Sequence, residues 1–295
     1  LMSNLHLELY PTMNRRQLLQ TASLAPLALV PLHDLTASAP KAPFLYALNM
    51  STIRGHKLGF VGELQVAAKA GYKHVEIWLN SLQDYLKAGG SAAEARRILA
   101  DLDLSVEGAI GFAPCIVNEE AARSKGLEQL KAEMELLAQI GCKRIACPPV
   151  GATQGEALDL DQAAARYRSV LELADQTGVA ATLELWGFSK NLSRLSELLY
   201  VALESKHPKA QLLLDVYHLH RGGSGLEAVA WVGKPLVEIF HVNDYPAHIP
   251  AEKLADADRV FTGDGVAPWQ PLLKALRNPE RPVILSLEVF NPTYY

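Results

Sequence analysis

The feature that most constrains the fold is a regular alternation of short apolar runs with amphipathic helical segments. Eight runs rich in β-branched and aromatic residues are the predicted strands: FLYALNM, HVEIWL, SVEGAIGF, RIACPP, ATLELW, QLLLDVY, VEIFHV and VILSLEV. Between them, segments such as AAEARRILADLD carry apolar residues at helical spacings. Eight strand–helix repeats in about 250 residues suit a closed parallel barrel better than an open sheet. The sequence therefore predicts an α/β chain, with a (β/α)₈ TIM barrel over residues 43–295.

The last predicted strand lies close to the end of the chain. A complete barrel covers its eighth strand with a final helix, but only a short segment separates that strand from Tyr295. We therefore expect the final helix to be missing from this chain, and we interpret the sequence as a fragment. An apolar strip is then expected on the outer wall between the first and eighth strands, where it would promote association.

Residues 1–42 have the features of an export signal rather than of a barrel element. The pair Arg15–Arg16 follows Met13 and precedes an apolar, Ala-rich stretch, Leu18–Leu32, and small residues come next. A twin arginine before such a stretch indicates a twin-arginine leader. We expect a periplasmic or exported protein, or a cytoplasmic one if the leader is not functional. The alternative is a disordered or misassigned leader.

Composition and charge exclude several classes of function. The net charge is −4 and the Lys and Arg residues are scattered, so no basic stripe is present for nucleic acid. The three cysteines show no C-x-x-C spacing, and no apolar run reaches the ~18 residues needed to span a membrane. No G-x-G-x-x-G follows the first strand, which disfavours a dinucleotide-binding fold. We expect a small-molecule partner, and a homo-oligomer is compatible with the sequence.

Each of the last four predicted strands ends at or near one ionisable residue: Glu184, Asp215, His241 and Glu288. Burying such a group is costly unless it is paired or bound to something. In a (β/α)₈ barrel the carboxyl ends of the strands meet at one face, where active sites lie. One metal ion at that face would satisfy all four side chains.

The ligand set itself indicates which ions suit it. Three carboxylates and one imidazole are rich in oxygen, which favours Mn²⁺, Mg²⁺ or Co²⁺, whereas Zn²⁺ is compatible but less favoured. Taken alone, Glu184 is equally consistent with a salt-bridged acid of the barrel. His241 alone is equally consistent with a hydrogen-bonded core histidine. Four such residues on consecutive strands favour one shared site.

Residues 44–295 resemble the xylose-isomerase-like barrel superfamily of sugar phosphate isomerases and epimerases, which includes ketose 3-epimerases and inosose dehydratases. The resemblance rests on LELW, DVYHLH, HVND with its YP continuation, DADRVFTGDG and LSLEVF. The order Glu, Asp-x-x-His, His-x-Asn-Asp, Glu is specific for this superfamily, but it does not identify one substrate.

The resemblance implies a role for each residue that matches these motifs. The implied metal ligands are Glu184, Asp215, His241 and Glu288, of which Glu184 and Glu288 would also be the acid–base pair. The implied substrate-binding residues are His218, Arg259, Glu76 and Trp186. In ketose epimerases a substrate-binding arginine stands where this chain has Ala247, so Arg259 is the expected substitute. Glu76 is equally consistent with an ordinary paired or solvated acid.

The implied chemistry is proton transfer next to a carbonyl group. A divalent ion stabilises an enediolate, one glutamate removes the C–H proton and the other returns it. Return to the opposite face gives epimerisation, return to the neighbouring carbon gives isomerisation, and loss of a β-hydroxyl gives dehydration. The absence of a clear phosphate-binding loop favours an unphosphorylated sugar or cyclitol.

Two other hypotheses compete with a sugar isomerase. A non-catalytic or degenerate carbohydrate-binding barrel is permitted by the fold alone, but both glutamates of the acid–base pair are intact. An apurinic endonuclease would share the barrel, yet it needs many more histidines for its zinc ions and a basic face. This chain supplies neither, so the endonuclease is disfavoured.

Overall fold

A computed structural model describes residues 42–295, and these residues form a closed barrel of eight parallel strands in sequential order. The strands are β1 (Phe44–Asn49), β2 (His74–Trp78), β3 (Ser105–Ile110), β4 (Arg144–Cys147), β5 (Ala180–Glu184), β6 (Gln211–Asp215), β7 (Ile239–Val242) and β8 (Val283–Leu287). The first strand closes the barrel by pairing in parallel with the eighth. The predicted (β/α)₈ fold is confirmed. The predicted leader lies, apart from Ala42, outside the described residues.

Helices connect the strands around the outside of the barrel. They are α1 (Gly59–Lys69), α2 (Leu79–Lys87), α3 (Ala92–Asp101), α4 (Glu120–Gln139), α5 (Leu160–Thr177), α6 (Leu195–Glu204), α7 (Val216–Arg221) and α8 (Trp269–Leu276). Asp159 caps α5 by accepting from the N–H of Gln162, and Gly178 ends it with a φ of 76°. None of the helices in residues 42–295 is long and apolar enough to cross a membrane.

The largest departure from the predicted elements lies after β6. The sequence predicts a strand that continues through Tyr217, whereas β6 ends at Asp215 and α7 begins at Val216. The Asp215 carboxylate caps this helix by accepting a hydrogen bond from the backbone N–H of His218 at 2.9 Å. Val216 and Tyr217 are buried in the helix. A short apolar run does not by itself distinguish a buried strand from a buried helix.

The interior of the barrel contains both apolar and polar side chains. A small apolar cluster is drawn from strand residues alone: Ala47, Ile110, Ala146, Leu213, Ile239 and Ile284. At the carboxyl ends lie buried polar side chains, and parallel pairing places Asp215 beside His241 and His241 beside Ser286. Alternation along each strand therefore puts ionisable groups at the active-site face of the barrel.

The seam between β1 and β8 shows less apolar exposure than expected. After β8 the described chain forms one 3₁₀ turn, Pro292–Tyr294. On β1, Tyr46 is 65% exposed, but Val283 and Leu285 of β8 are buried and belong to the main apolar cluster. Among residues 42–295, the large exposed apolar side chain at this seam is thus Tyr46. The predicted apolar strip stays a prediction.

Candidate active site

Three of the four predicted ligands converge at the carboxyl ends of the strands. Asp215, His241 and Glu288 each offer one ligand atom, and these atoms all lie within 4.8 Å of one another. His241 Nδ1 is 3.7 Å from Asp215 Oδ2 and 3.2 Å from Glu288 Oε2. All three side chains are buried. Glu184 ends β5 and is also buried, although it is not part of this close group.

The imidazole of His241 is oriented by Glu76. Glu76 Oε2 lies 2.8 Å from His241 Nε2, and it also accepts hydrogen bonds from Ser286 Oγ and Asn49 Nδ2, each at 2.8 Å. His241 Nδ1 therefore faces Asp215 and Glu288. Burial lowers the pKa of His241, but the carboxylates of Glu76 and Glu288 outweigh it and raise that pKa well above its ordinary value.

The two glutamates of the implied acid–base pair have opposite proton affinities. Burial raises the pKa of Glu184 to about 8, and the nearby carboxylate of Glu288 acts in the same direction. Burial acts on Glu288 too, but its contacts with His241 and Arg259 reverse the effect and hold its pKa well below the ordinary value. Glu184 therefore holds a proton more tightly than Glu288 does when no metal ion is bound.

Arg259 is completely buried beside these acids. Its guanidinium group donates through Nη1 to Glu288 Oε2 at 2.8 Å and to Asp215 Oδ2 at 3.2 Å. It lies over the ring of Tyr217, with Cζ 4.1 Å from the ring centroid. Burial lowers the pKa of Arg259, but the surrounding carboxylates raise it further above its high ordinary value. The arginine therefore carries a permanent positive charge at the base of the site.

His218 faces the same region from the first turn of α7. Its Nδ1 accepts a hydrogen bond from the N–H of Gly187 at 3.3 Å, and its Nε2 is 3.3 Å from Arg259 Nη2. Burial and the charge of Arg259 lower the pKa of His218 well below its ordinary value. The imidazole is therefore neutral at pH 7, so it offers a hydrogen bond without adding charge.

Glu184, Glu288, His218 and Arg259 line a cavity of about 220 Å³ with aromatic walls, and Asp215 and His241 lie next to them outside its lining. The walls are Trp78, Phe112, Trp186, Phe188 and Phe290, and Arg54 lies at the rim. The rings contact one another: Trp186 stacks on Phe188 with a centroid distance of 5.3 Å, and Trp78 meets Phe112 at 5.4 Å. The predicted substrate residue Trp186 lies in this wall.

The structure brings the predicted residues together but gives two of them unexpected contacts. The carboxylate of Glu76 is directed towards His241, and the guanidinium of Arg259 contacts the predicted metal ligands. The substrate contacts predicted for both residues stay predictions. Sequence reasoning missed Trp78, Phe112 and Phe290, although each lies at or just after the end of a strand. Aromatic residues at strand ends are the signal that would have indicated them.

The donor atoms at the base of the cavity suit a divalent metal ion. A spacing within 4.8 Å is compatible with bonds of ~2.0–2.6 Å from Asp215, His241 and Glu288 to one ion. Two buried atoms, His241 Nδ1 and Glu184 Oε2, have no hydrogen-bond partner among the residues that the structure describes. Nδ1 is close to Glu288 Oε2 but not in hydrogen-bond geometry. Buried polar atoms are normally satisfied, so these two atoms are compatible with a bound ion.

Comparison with known proteins agrees with the fold. The family model of the xylose isomerase-like TIM barrel matches residues 64–294. The chain belongs to this family. Inosose isomerase of Bacillus licheniformis is 26% identical over 240 residues, which cover 79% of this chain and 84% of that protein. Inosose isomerase of Bacillus subtilis strain 168 is 25% identical over the same shares.

Solved structures of other proteins share the barrel. A crystal structure of the IOLI protein with a bound zinc atom superposes with a TM-score of 0.73 at 21% identity, covering 85% of this chain and 91% of that one. An L-ribulose 3-epimerase superposes with a TM-score of 0.67 at 19% identity, covering 85% and 82%. At these identities the likeness shows the fold.

Proposed function

We propose that this protein is a divalent-metal-dependent isomerase or epimerase of a sugar or cyclitol. One observation carries the proposal: ligand atoms of the buried Asp215, His241 and Glu288 lie within 4.8 Å of one another, and Glu288 shares one cavity with the buried Glu184. The pKa values of the two glutamates are displaced in opposite directions, as is typical of an acid and a base that act as a pair. The relatives named inosose isomerase and L-ribulose 3-epimerase support this class of reaction.

The two glutamates account for the proton transfer. Glu288, which holds a proton less tightly, accepts the proton from the carbon next to the substrate carbonyl, and Glu184 returns a proton to the resulting enediolate. Glu184 ends β5 and Glu288 follows β8, so they approach a bound substrate from different sides of the barrel. Delivery to the opposite face inverts the carbon, whereas delivery to the neighbouring carbon moves the carbonyl.

A divalent ion would be held by Glu184, Asp215, His241 and Glu288. When bound, it supplies Lewis-acid polarisation of the substrate carbonyl. The buried acids and the two unpartnered donor atoms support such an ion, and the zinc in the IOLI relative supports it further. The ligand set, rich in oxygen, favours Mn²⁺, Mg²⁺ or Co²⁺, with Zn²⁺ as the alternative.

The walls of the cavity support an unphosphorylated ring as the substrate. The aromatic side chains offer flat apolar faces to the C–H groups of a sugar or cyclitol, while His218 offers a hydrogen bond to a hydroxyl. The cations that line the cavity are Arg54 and Arg259, and the second is already engaged by carboxylates. Among the cavity residues that the structure describes, a dianionic phosphate would have only the rim arginine to bind.

Exchange of substrate C–H protons with heavy water tests the proposal. The chain, loaded with Mn²⁺, is incubated with a panel of ketoses, inososes and their phosphates, and deuterium incorporation is followed by NMR. Incorporation into an unphosphorylated member supports the proposal. Loss of water from the substrate would instead identify a dehydratase, and no incorporation into any member would favour a non-catalytic barrel.

Glutamine variants then test the roles of the two acids. Glu184→Gln and Glu288→Gln keep the side-chain volume and one oxygen, but they cannot carry a proton. We expect each to slow exchange by ~10²–10⁴-fold with metal in excess. Glu133→Gln is the matched control, because Glu133 is a buried carboxylate on α4 that hydrogen-bonds Gln129 and does not line the cavity. Exchange at the wild-type rate by either site variant contradicts the mechanism.

A further inference from the structure

The guanidinium group of Arg259 occupies the oxygens that a metal ion would use. Its Nη1 contacts Asp215 Oδ2 and Glu288 Oε2, and these same two oxygens lie 3.7 and 3.2 Å from His241 Nδ1. An ion bonded to this set would lie ~2.0–2.6 Å from each ligand atom, hence directly beside Nη1. Two cations at such a separation, away from bulk water, repel strongly.

Arg259 also has an outer set of contacts that does not involve the metal ligands. Its Nη2 donates to Asp256 Oδ1 at 2.5 Å, and its planar group lies between the rings of Tyr217 and Phe290. Its backbone carbonyl accepts a hydrogen bond from Asn291 Nδ2 at 3.0 Å. These contacts with Asp256, Tyr217 and Phe290 would hold the Arg259 side chain in place even without Asp215 and Glu288.

The two sets of contacts give the arginine two electrostatic roles. A buried cluster of carboxylates needs a counter-charge, and within residues 42–295 Arg259 supplies it through direct hydrogen bonds to two of the acids. When a divalent ion enters, that counter-charge becomes redundant. The outer carboxylate of Asp256, whose side chain is 47% exposed, can then retain the guanidinium group.

We propose that Arg259 is a built-in counter-cation that competes with the divalent ion for Asp215 and Glu288 and thereby sets the affinity of the site. Metal entry displaces Nη1 from the two acids while Asp256 keeps the side chain at the cavity wall. The proposal deepens the proposed function and rests on its metal site. It predicts that substitutions of the arginine and of its outer anchor change metal affinity in opposite directions.

Calorimetric titration of chelator-treated protein with Mn²⁺ alone, and separately with Zn²⁺ alone, measures the competition. Arg259→Met removes the competing charge and should bind the ion at least about tenfold more tightly, equivalent to ~1.4 kcal/mol. Arg259→Lys keeps a positive charge that cannot bridge both acids. Its metal affinity should lie between those of the wild type and Arg259→Met. Arg97→Met removes a cation from an exposed position on α3 outside the cavity, so its affinity should stay within about twofold of the wild type.

The outer anchor gives an independent test with an exposed residue. Asp256→Asn leaves Arg259 dependent on the inner acids and should weaken metal binding. Asp258→Asn makes the same charge change two positions away, where the carboxylate contacts Ala255 rather than Arg259. This control should weaken metal binding much less. Thermal melts add a second readout. Without metal, Arg259→Met should have a lower melting temperature than the wild type. Saturating Mn²⁺ should raise the melting temperature of Arg259→Met by more than it raises that of the wild type.

The outcomes separate this inference from the proposed function. Tighter binding by Arg259→Met together with weaker binding by Asp256→Asn supports the competition. Equal affinities in all variants that bind metal overturn the inference alone. No binding of Mn²⁺ or Zn²⁺ by the wild type or any variant overturns the metal-dependent function, and the inference falls with it.

Discussion

At the scale of single residues, the orientation of His241 depends on the carboxylate of Glu76. The two side chains meet at 2.8 Å across the barrel, although 165 positions separate them in the sequence. Glu76 Oε2 also accepts from Ser286 and Asn49, so three donors hold it in place. A carboxylate that receives the N–H of a metal-binding histidine fixes the ring and raises its basicity as a ligand. We infer that Glu76 is a positioning residue.

Glu76→Gln tests this role. Glutamine keeps the shape but offers a neutral oxygen to Nε2, so Nδ1 becomes a weaker ligand. We expect Mn²⁺ affinity to fall by ~10–100-fold, measured by calorimetric titration. Glu107→Gln is the control, because Glu107 is an equally buried strand acid that pairs with His74 and Lys143 at the opposite end of the barrel. Unchanged affinity in Glu76→Gln would contradict the positioning role.

The sequence predicted which ionisable residues end strands, but not which atoms they share. Glu184, Asp215 and His241 could be located because each follows an apolar run, and the end of a strand in a barrel has a defined place. The contact of Arg259 with Asp215 could not be predicted, because it depends on how a loop folds back over the barrel. The spacing of apolar residues in the sequence does not indicate such a contact.

At the scale of elements, the loop between β7 and α8 delivers Arg259 to the site. Asp244 holds this loop closed: its backbone N–H and carbonyl pair with Val260, and its carboxylate accepts from Gly263 N, Ala267 N and Trp269 Nε1 at 2.7–3.0 Å. The HVND and DADRVFTGDG motifs were evident in the sequence. Their physical connection was not, because one side chain joins segments that are far apart in sequence.

Asp244→Asn should loosen the loop and lower stability. Asparagine offers one acceptor oxygen where the carboxylate offers two, so at least one buried donor loses its partner, at a cost of about 1–3 kcal/mol at neutral pH. Urea unfolding measures the change. Asp264→Asn, an exposed acid in the same loop, is the control and should change stability by less than ~0.5 kcal/mol.

The pH dependence of this difference follows from the same contacts. Burial raises the pKa of Asp244, but the hydrogen bonds from Trp269 and from backbone N–H groups outweigh it and hold the pKa below its ordinary value. Because the folded pKa lies below the unfolded value of ~3.9, the stabilisation is fully present above that pH and is lost as pH falls through the folded pKa. Wild type and Asp244→Asn should therefore begin to converge in stability as pH falls below about 4 and should meet only below the folded pKa. A constant difference down to pH 3 would contradict this assignment.

At the scale of the whole molecule, the barrel closes within residues 44–287. Five register pairs between β1 and β8, from Phe44 with Val283 to Leu48 with Leu287, complete the ring. The eight strands were predictable because strand and helix periods alternate regularly. The aromatic wall of the cavity was not, because its rings come from several strand ends and meet only once the barrel is closed.

Closure within this range predicts that the barrel folds without the preceding residues. Residues 43–295 expressed alone should melt within about 2 °C of the whole chain, because a 1 kcal/mol change in a domain of this size shifts the melting temperature by ~2–4 °C. Differential scanning calorimetry of the two proteins, at equal concentration and with equal metal, checks the expectation. A fall of ~10 °C on removal would show that residues 1–42 contribute to the fold.

The remaining question at this scale is where the protein acts, and we propose that residues 1–42 direct its export. A twin-arginine signal is an address read by a receptor, so it depends on the paired guanidinium groups rather than on charge alone. In a bacterial host with this pathway, Arg15→Lys with Arg16→Lys should move the protein from the periplasmic to the cytoplasmic fraction, measured by immunoblot. Arg96→Lys with Arg97→Lys is the matched control, because these adjacent arginines are exposed on α3 and the variant should remain periplasmic. If both double variants fractionate like the wild type, the pair at Arg15–Arg16 is not an export signal. A wild-type protein found only in the cytoplasm would show that the leader is not functional.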